Sequence, residues 1–144
     1  MIDFPPQFLE LCDDILKQGV KKLGLPTGIV SSIDDPFYTV VAVLSPKVVF
    51  KPGDSFSLVD TYCREVYETR ATVAYTHYAG NPGLRKHPLY TDMPIEAYIS
   101  CPIKLEGEVW GTLNFSDTTI RDKPFTEEDI LFLESSAEAI SRAL

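Results

Sequence analysis

Tyr62, Cys63, His77, Tyr90, Tyr98 and Trp110 are the side chains whose types and placement suit a ligand site. Cys63 falls near the start of a predicted short helix, where the helix dipole lowers a thiol's pKa and favours the thiolate. A thiolate there is a nucleophile or a covalent anchor; the competing reading is a buried cysteine packing as a small hydrophobe. His77 follows a predicted strand and faces the presumed cleft, so its imidazole could hydrogen-bond a ligand or supply a charge near neutrality. Tyr98 and Trp110 lie on adjacent hairpin strands. Each offers an aromatic body with a polar tip, suited to a small polar or planar molecule or equally to core packing. Tyr62 belongs to the inner stripe of the short helix, and Tyr90 to a long irregular segment. Arg64, Arg85 and Lys86 could neutralise an anion, and exposed ion pairs explain them as well.

Other chemistries find no support. Cys12, Cys63 and Cys101 are spaced 51 and 38 residues apart, with no C-x-x-C that would suggest zinc or a thioredoxin-like pair. His77 and His87 stand ten residues apart without a third ligand at a useful spacing, so no metal site is expected. No catalytic acid–base pair is recognisable, no catalytic residue is assigned, and the residues name no cofactor.

The elements that must position these side chains are legible from periodicity. After Pro5-Pro6, the residues Phe8, Leu11, Cys12, Ile15, Gly19 and Leu23 repeat at helical spacing, with Leu9, Leu16 and Val20 widening the stripe. Gly24 is a natural residue to end that helix, and Pro26 prevents its continuation. Thr27–Ile33 and Phe37–Leu44 read as strands of a hairpin turned by Asp34-Asp35-Pro36. Val48–Phe50 reads as a short third strand. Leu58–Thr69 reads as a short helix with Asp60 as N-cap and Tyr62, Cys63, Val66 and Tyr67 inward, and Thr72–Thr76 as a brief strand. From His77 to Pro94 the pattern dissolves into a loop long enough to suggest a function.

Ala97–Leu105 and Glu108–Asn114 form a second hairpin around Glu106-Gly107. On its second strand Val109, Gly111, Leu113 and Phe115 fall on one face and Trp110, Thr112 and Asn114 on the other, which predicts a central strand covered on both sides. The last helix starts at Thr126 with Asp129 three residues on, as in a capping box, and with Phe125 and Ile130 as a hydrophobic staple. It is expected to run to Leu144 without a stop signal, which fits a longer helix of a larger chain and a free-standing domain equally. The fold class is therefore α+β: one domain over residues 1–144, a twisted antiparallel sheet with terminal helices on one face and the irregular segment on the other.

Composition narrows the partners. A formal charge of −8 argues against nucleic acid, and no apolar run approaches the length of a bilayer span. The N-terminus lacks the basic and apolar regions of a signal peptide, which places the chain in the cytoplasm.

The motifs Leu58-Val59-Asp60-Thr61-Tyr62-Cys63-Arg64, Asn81-Pro82-Gly83-Leu84, Ile95–Ile103, Gly111-Thr112-Leu113-Asn114-Phe115 and Pro124-Phe125-Thr126 together resemble the GAF domains of bacterial sensor histidine kinases and related signalling proteins. The resemblance implies a sheet of five or six strands and a pocket between the sheet and the segment from Asp60 to Pro94. It also implies signalling through the terminal helices to an output domain, such as the kinase of a two-component system, with homodimers formed through those helices. A ligand-free dimerisation module is the alternative. Bilin attachment at Cys63 is disfavoured because Arg64, not histidine, follows it. The GAF branch of free methionine sulfoxide reductases needs two cooperating thiols and substrate-binding acids. Leu113-Asn114-Phe115-Ser116 carries no acid where that branch has them, so no enzyme is expected.

Overall fold

Helix α1, Pro6–Leu23, begins with proline at its first position, where no backbone N–H is needed, and ends where Gly24 turns left-handed at φ 69°. It buries Phe8, Cys12, Ile15, Leu16, Gly19 and Leu23 on one stripe. The computed structural model describes residues 4–47, 50–77 and 95–144. Within them the strands are β1 (Thr27–Asp34), β2 (Phe37–Leu44), β3 (Ser55–Ser57), β4 (Val73–Tyr75), β5 (Ala97–Leu105) and β6 (Glu108–Asp117). They form one antiparallel sheet in the order β3-β2-β1-β6-β5-β4, so the two predicted hairpins meet along β1 and β6 at its centre. The β5–β6 turn places Glu106 and Gly107 at φ 54° and 84°, the left-handed pair that a tight two-residue hairpin requires. Among the described residues no helix is long and apolar enough to cross a membrane.

Helix α3, Glu127–Arg142, packs beside α1 on one sheet face. Its start is the predicted capping box: Asp129 N–H donates to Thr126 Oγ1 at 3.1 Å, and Thr126 N–H donates to Asp129 Oδ2 at 2.9 Å. Arg121 ties the two helices together. Its Nη1 donates to Leu23 O at 2.7 Å, its guanidinium lies 4.4 Å from the Phe125 ring centroid, and Nη2 stands 3.7 Å from Asp129 Oδ2.

Between helices and sheet lies the main core, with Leu16, Val30, Ile99, Leu113, Phe115, Leu133 and Ile140 fully enclosed. Its tightest point is Phe115. A Cβ added at Gly19 of α1 would lie 2.0 Å from Phe115 Cζ, and one added at Gly28, the cross-strand partner of Phe115, would lie 2.6 Å from Cε1. The ring therefore fills a recess that only two glycines leave open.

Several sequence expectations need correction. The Leu58–Thr69 helix is two pieces, a 3-10 turn at Leu58–Asp60 and helix α2 at Arg64–Thr69. Asp60 lies inside the turn and caps nothing. Thr61 interrupts the helix by donating its hydroxyl to Leu58 O at 2.9 Å, so Cys63 becomes the residue at the start of α2. The third strand is Ser55–Ser57; Phe50 lies outside any strand, and residues 48 and 49 are outside the described set, as is the loop segment 78–94. The last helix stops at Arg142.

Trp110 is the most consequential correction. Lys104 pairs with Val109 while Ile103 pairs with Gly111, so Trp110 is the extra residue of a β-bulge and breaks the alternation of its strand. The bulge turns its indole to the helix side, against Phe4 and Phe8 at centroid distances of 6.0 and 6.3 Å.

Gly19→Ala tests the recess. Because the buried Phe115 ring has nowhere to go, the substitution is expected to destabilise the protein by about 1–3 kcal/mol in urea unfolding. A change within about 0.5 kcal/mol would show that the ring yields freely.

Candidate functional site

On the opposite sheet face the alternation of β6 places Thr112, Asn114 and Ser116, and their cross-strand neighbours include Ser31 on β1 with Tyr98 and Ser100 on β5. These polar side chains are buried, not solvated. Over them the turn at Leu58–Asp60 and helix α2 lower Thr61, Tyr62 and Cys63 into a second cluster with Ile29, Tyr38, Val40, Ile95 and Tyr98.

Cys63 Sγ is the hub. Thr112 Oγ1 donates to it at 3.2 Å and Asn114 Nδ2 at 3.4 Å, and Tyr98 OH lies at 3.2 Å. Ser31 Oγ bonds Thr112 Oγ1 at 2.7 Å and accepts the Thr112 N–H at 3.2 Å, so the network reaches β1. Tyr62 OH accepts the Ile95 N–H at 3.3 Å, and its ring lies 5.8 Å from that of Tyr98. Ser100 Oγ and Ser116 Oγ are enclosed without a hydrogen-bond partner. Ser100 is near enough to favour the Cys63 thiolate slightly without completing a bond.

Burial decides the protonation states. It pushes the Cys63 thiol above its ordinary value, against the opposing pull of hydrogen bonds from Thr112, Tyr98 and Tyr38 and of the nearby Ser100 hydroxyl. It also pushes the Tyr38 and Tyr98 hydroxyls well above the ordinary tyrosine range, with the neighbouring sulfur adding to the shift. Of the two readings of Cys63 the buried thiol is the one the fold bears out: desolvation outweighs the dipole of a six-residue helix, and Cys63 is a neutral thiol.

A small cavity opens above this floor, about 30 Å³ of space for the centres of water molecules, room for one or two of them. Its outer wall is aromatic, with Phe50 and Phe56 at 5.8 Å and Tyr38 and Phe56 at 6.4 Å between centroids. Of the residues singled out from sequence, Tyr62, Cys63 and Tyr98 line the cavity together. His77 does not line it: half exposed, it places Nε2 3.2 Å from Glu96 Oε2. Trp110 lies across the sheet, and Tyr90, Arg85, Lys86 and His87 are outside the described residues. Arg64 is exposed and faces Glu68 at 3.6 Å. Sequence reading missed Tyr38, Phe50, Phe56 and the role of Thr112 and Asn114. The signal for the last two was present in a strand whose polar residues alternate with Leu113 and Phe115. Among the described residues no group of three or more His, Cys, Asp and Glu side chains could hold a metal.

A family model described as GAF domain matches residues 7–144. The chain belongs to the GAF family. No curated protein matches its sequence. Three solved structures share the fold. A methyl-accepting chemotaxis protein, residues 122 to 287, aligns with a TM-score of 0.75 at 17% identity, covering 94% of this chain and 87% of that one. The GAF domain of an Acinetobacter phosphoenolpyruvate-protein phosphotransferase aligns at 0.72 and 12% identity, covering 99% and 94%. A type II free methionine-R-sulfoxide reductase from Thermoplasma acidophilum aligns at 0.74 and 16% identity, covering 94% and 91%. This GAF domain therefore shares its architecture with domains of signalling proteins and with an enzyme, and its own side chains must decide between those roles.

The neutral groups predict an alkaline instability. Raised folded-state pKa values mean that their stabilising contribution is complete below the unfolded thiol value, about 8.5, and is lost as pH rises above it. Each such group contributes a slope of about 1.4 kcal/mol per pH unit there. Cys12, on the helix face and pushed up to about 12 by burial with Asp13 adding, contributes alongside Cys63. Cys63→Ser should make the fall in unfolding free energy between about pH 9 and 10 shallower by about 1.4 kcal/mol per unit. An unchanged slope would mean that Cys63 ionises in the folded protein.

Proposed function

We propose that this GAF domain is a regulatory sensor that takes a small molecule into the cavity beneath α2 and reports its occupancy through α1 and α3. The observation that carries this reading is the polar floor. Where a purely structural sheet face would bury apolar side chains, β5 and β6 hold Ser100, Thr112, Asn114 and Ser116 out of water, with both serine hydroxyls unpartnered. Of these residues Asn114 lines the cavity itself, beside Cys63 and Tyr98, where a ligand would meet it.

Strand β6 supplies the route for a signal. Thr112 and Asn114 meet the cavity cluster, while Leu113 and Phe115 meet the helices, so a shift of β6 is felt on both faces. Helix α3 exposes Leu131, which suits pairing with a second copy and output to a kinase or other effector of a cytoplasmic signalling protein. Binding shifts such a helix equilibrium only by its differential affinity for the two states, typically about 1–3 kcal/mol.

The reductase fold-mate makes an enzymatic reading worth an explicit test. Reduction of a sulfoxide by thiols ends in a disulfide, which needs a second thiol near the first. Cys63 belongs to the cavity cluster, whereas Cys12 and Cys101 belong to the helix-side core, and this separation supports the regulatory reading. An NADPH-coupled assay with free methionine sulfoxide is expected to show no turnover above a Cys63→Ser control; turnover lost in that variant would establish the enzyme. For the sensor, a thermal-shift screen of metabolites, nucleotides and anions should find a stabilising compound. At 100-fold excess over its Kd the gain is about 2.7 kcal/mol. The gain should vanish in Asn114→Leu, and a stabiliser that acts equally on both proteins binds elsewhere.

A further inference from the structure

His77 takes no part in the cavity, yet it belongs to a closed ring of contacts that reaches both terminal helices. Its Nε2 lies 3.2 Å from Glu96 Oε2, just before β5 begins. The Glu96 N–H donates to Asp117 O at 2.9 Å, where β6 ends. Further along the connector to α3, the Arg121 N–H donates to Thr76 O at 2.9 Å, which returns the ring to the residue before His77. Between Asp117 and Arg121 the chain is braced by the Thr119 N–H, which donates to Asp117 Oδ1 at 3.1 Å. The Arg121 side chain then leads out of the ring. Nη1 donates to Leu23 O at the end of α1 at 2.7 Å, Nη2 stands 3.7 Å from Asp129 Oδ2 in the first turn of α3, and Nε donates to Lys123 O at 2.9 Å. We propose that the His77–Glu96 pair is a pH-sensitive latch: protonation of His77 tightens the ring, and Arg121 delivers the change to the end of α1 and the start of α3.

The links of the ring differ in what they respond to. Glu96 to Asp117 and Arg121 to Thr76 are backbone hydrogen bonds, which pH leaves alone. Imidazole is the side chain whose charge ordinarily changes within the physiological range, so the His77–Glu96 contact is the titratable link. Protonation turns it into an ion pair, and the Glu96 side chain is only 21% exposed, so water weakens the attraction less than at an open surface. The other charged groups on the surrounding elements are directed elsewhere or exposed. Asp117 of β6 holds the Thr119 N–H, Glu65 of α2 accepts from Tyr75 OH beside β4's end, and Asp122 and Lys123 of the connector are exposed. Arg121 is suited to pass the change on because one residue carries both contacts. Its main chain is tied to Thr76, and its guanidinium is held by Leu23, Asp129 and the Phe125 ring. A displacement of the first therefore moves the second. The latch is an input to the helices that needs no occupant in the cavity.

The test is a titration of the full chain between about pH 8 and 5.5, followed by NMR. The imidazole resonances of His77 give its own titration curve, and His87→Gln removes the second imidazole of the chain. The Gly24 amide, next to the carbonyl that Arg121 holds, the Asp129 amide and the Arg121 Nε–H are expected to shift along the His77 curve, in the parent and in His87→Gln alike. In Glu96→Gln His77 should still titrate while these helix-end shifts are lost. His77→Gln should lose them as well, and it makes the same test if the first variant does not fold. Helix-end resonances that stay still while His77 titrates overturn the latch, as do shifts that vanish with His87. Shifts that persist in full in Glu96→Gln overturn it too, since they report a charge felt through space. A cavity that takes no ligand leaves this result untouched, so the two readings fail separately.

Discussion

The Phe115 ring, held between Gly19 of α1 and Gly28 of β1, is the contact on which the rest of the arrangement depends. It sets how closely the first helix can lie on the sheet, and it fixes which way the central strand faces. Once Phe115 and Leu113 point into the helix-side core, the two-residue period of a strand commits Thr112, Asn114 and Ser116 to the other side. A one-residue slip of β6 would exchange the apolar and polar sets and bury hydroxyls and an amide among leucines. Gly111 guards the register from the other direction, because a Cβ there would lie 1.8 Å from the backbone oxygen of Ser31.

The two faces of the sheet thus do different physical work. The helix side is a dry core of aliphatic and aromatic side chains, closed by the Thr126–Asp129 capping box and by Arg121, which reaches the end of α1 and the start of α3 together. The cavity side holds a connected polar group around Cys63 that burial keeps uncharged. Its bonds are neutral and each adds only about 1 kcal/mol net, so they do little to stabilise the fold and much to define one geometry.

Most of the fold was legible because its signals are local. The α1 stripe, the Gly24 stop, the Glu106-Gly107 turn and the Thr126–Asp129 box are written within a few residues each and appear where the spacing predicts. The failures share a physical cause, which is that tertiary contacts overrode local pattern. The bulge at Trp110 depends on pairing with β5 and on the Phe4 and Phe8 rings, so strict alternation put the indole on the wrong face. The Thr61 hydroxyl takes a backbone carbonyl and splits what periodicity read as one helix. Of the cavity lining, Tyr62, Cys63 and Tyr98 were singled out by residue type, whereas Tyr38, Phe50 and Phe56 come from strand β2 and the segment after it, brought in only by folding. Cys63 carried two readings in the sequence, and the depth of burial that decides for the neutral thiol is a property of the fold.

The central claim is that occupancy of the cavity face is felt on the helix face through β6. Its most direct measurement is the set of amide chemical shifts of α1 and α3 as a stabilising compound from the thermal-shift screen is titrated into the protein. The account predicts that Leu16, Gly19 and Leu133 shift along the same saturation curve as Thr112 and Asn114. Shifts that saturate at Thr112 and Asn114 while the helix amides stay still would contradict it.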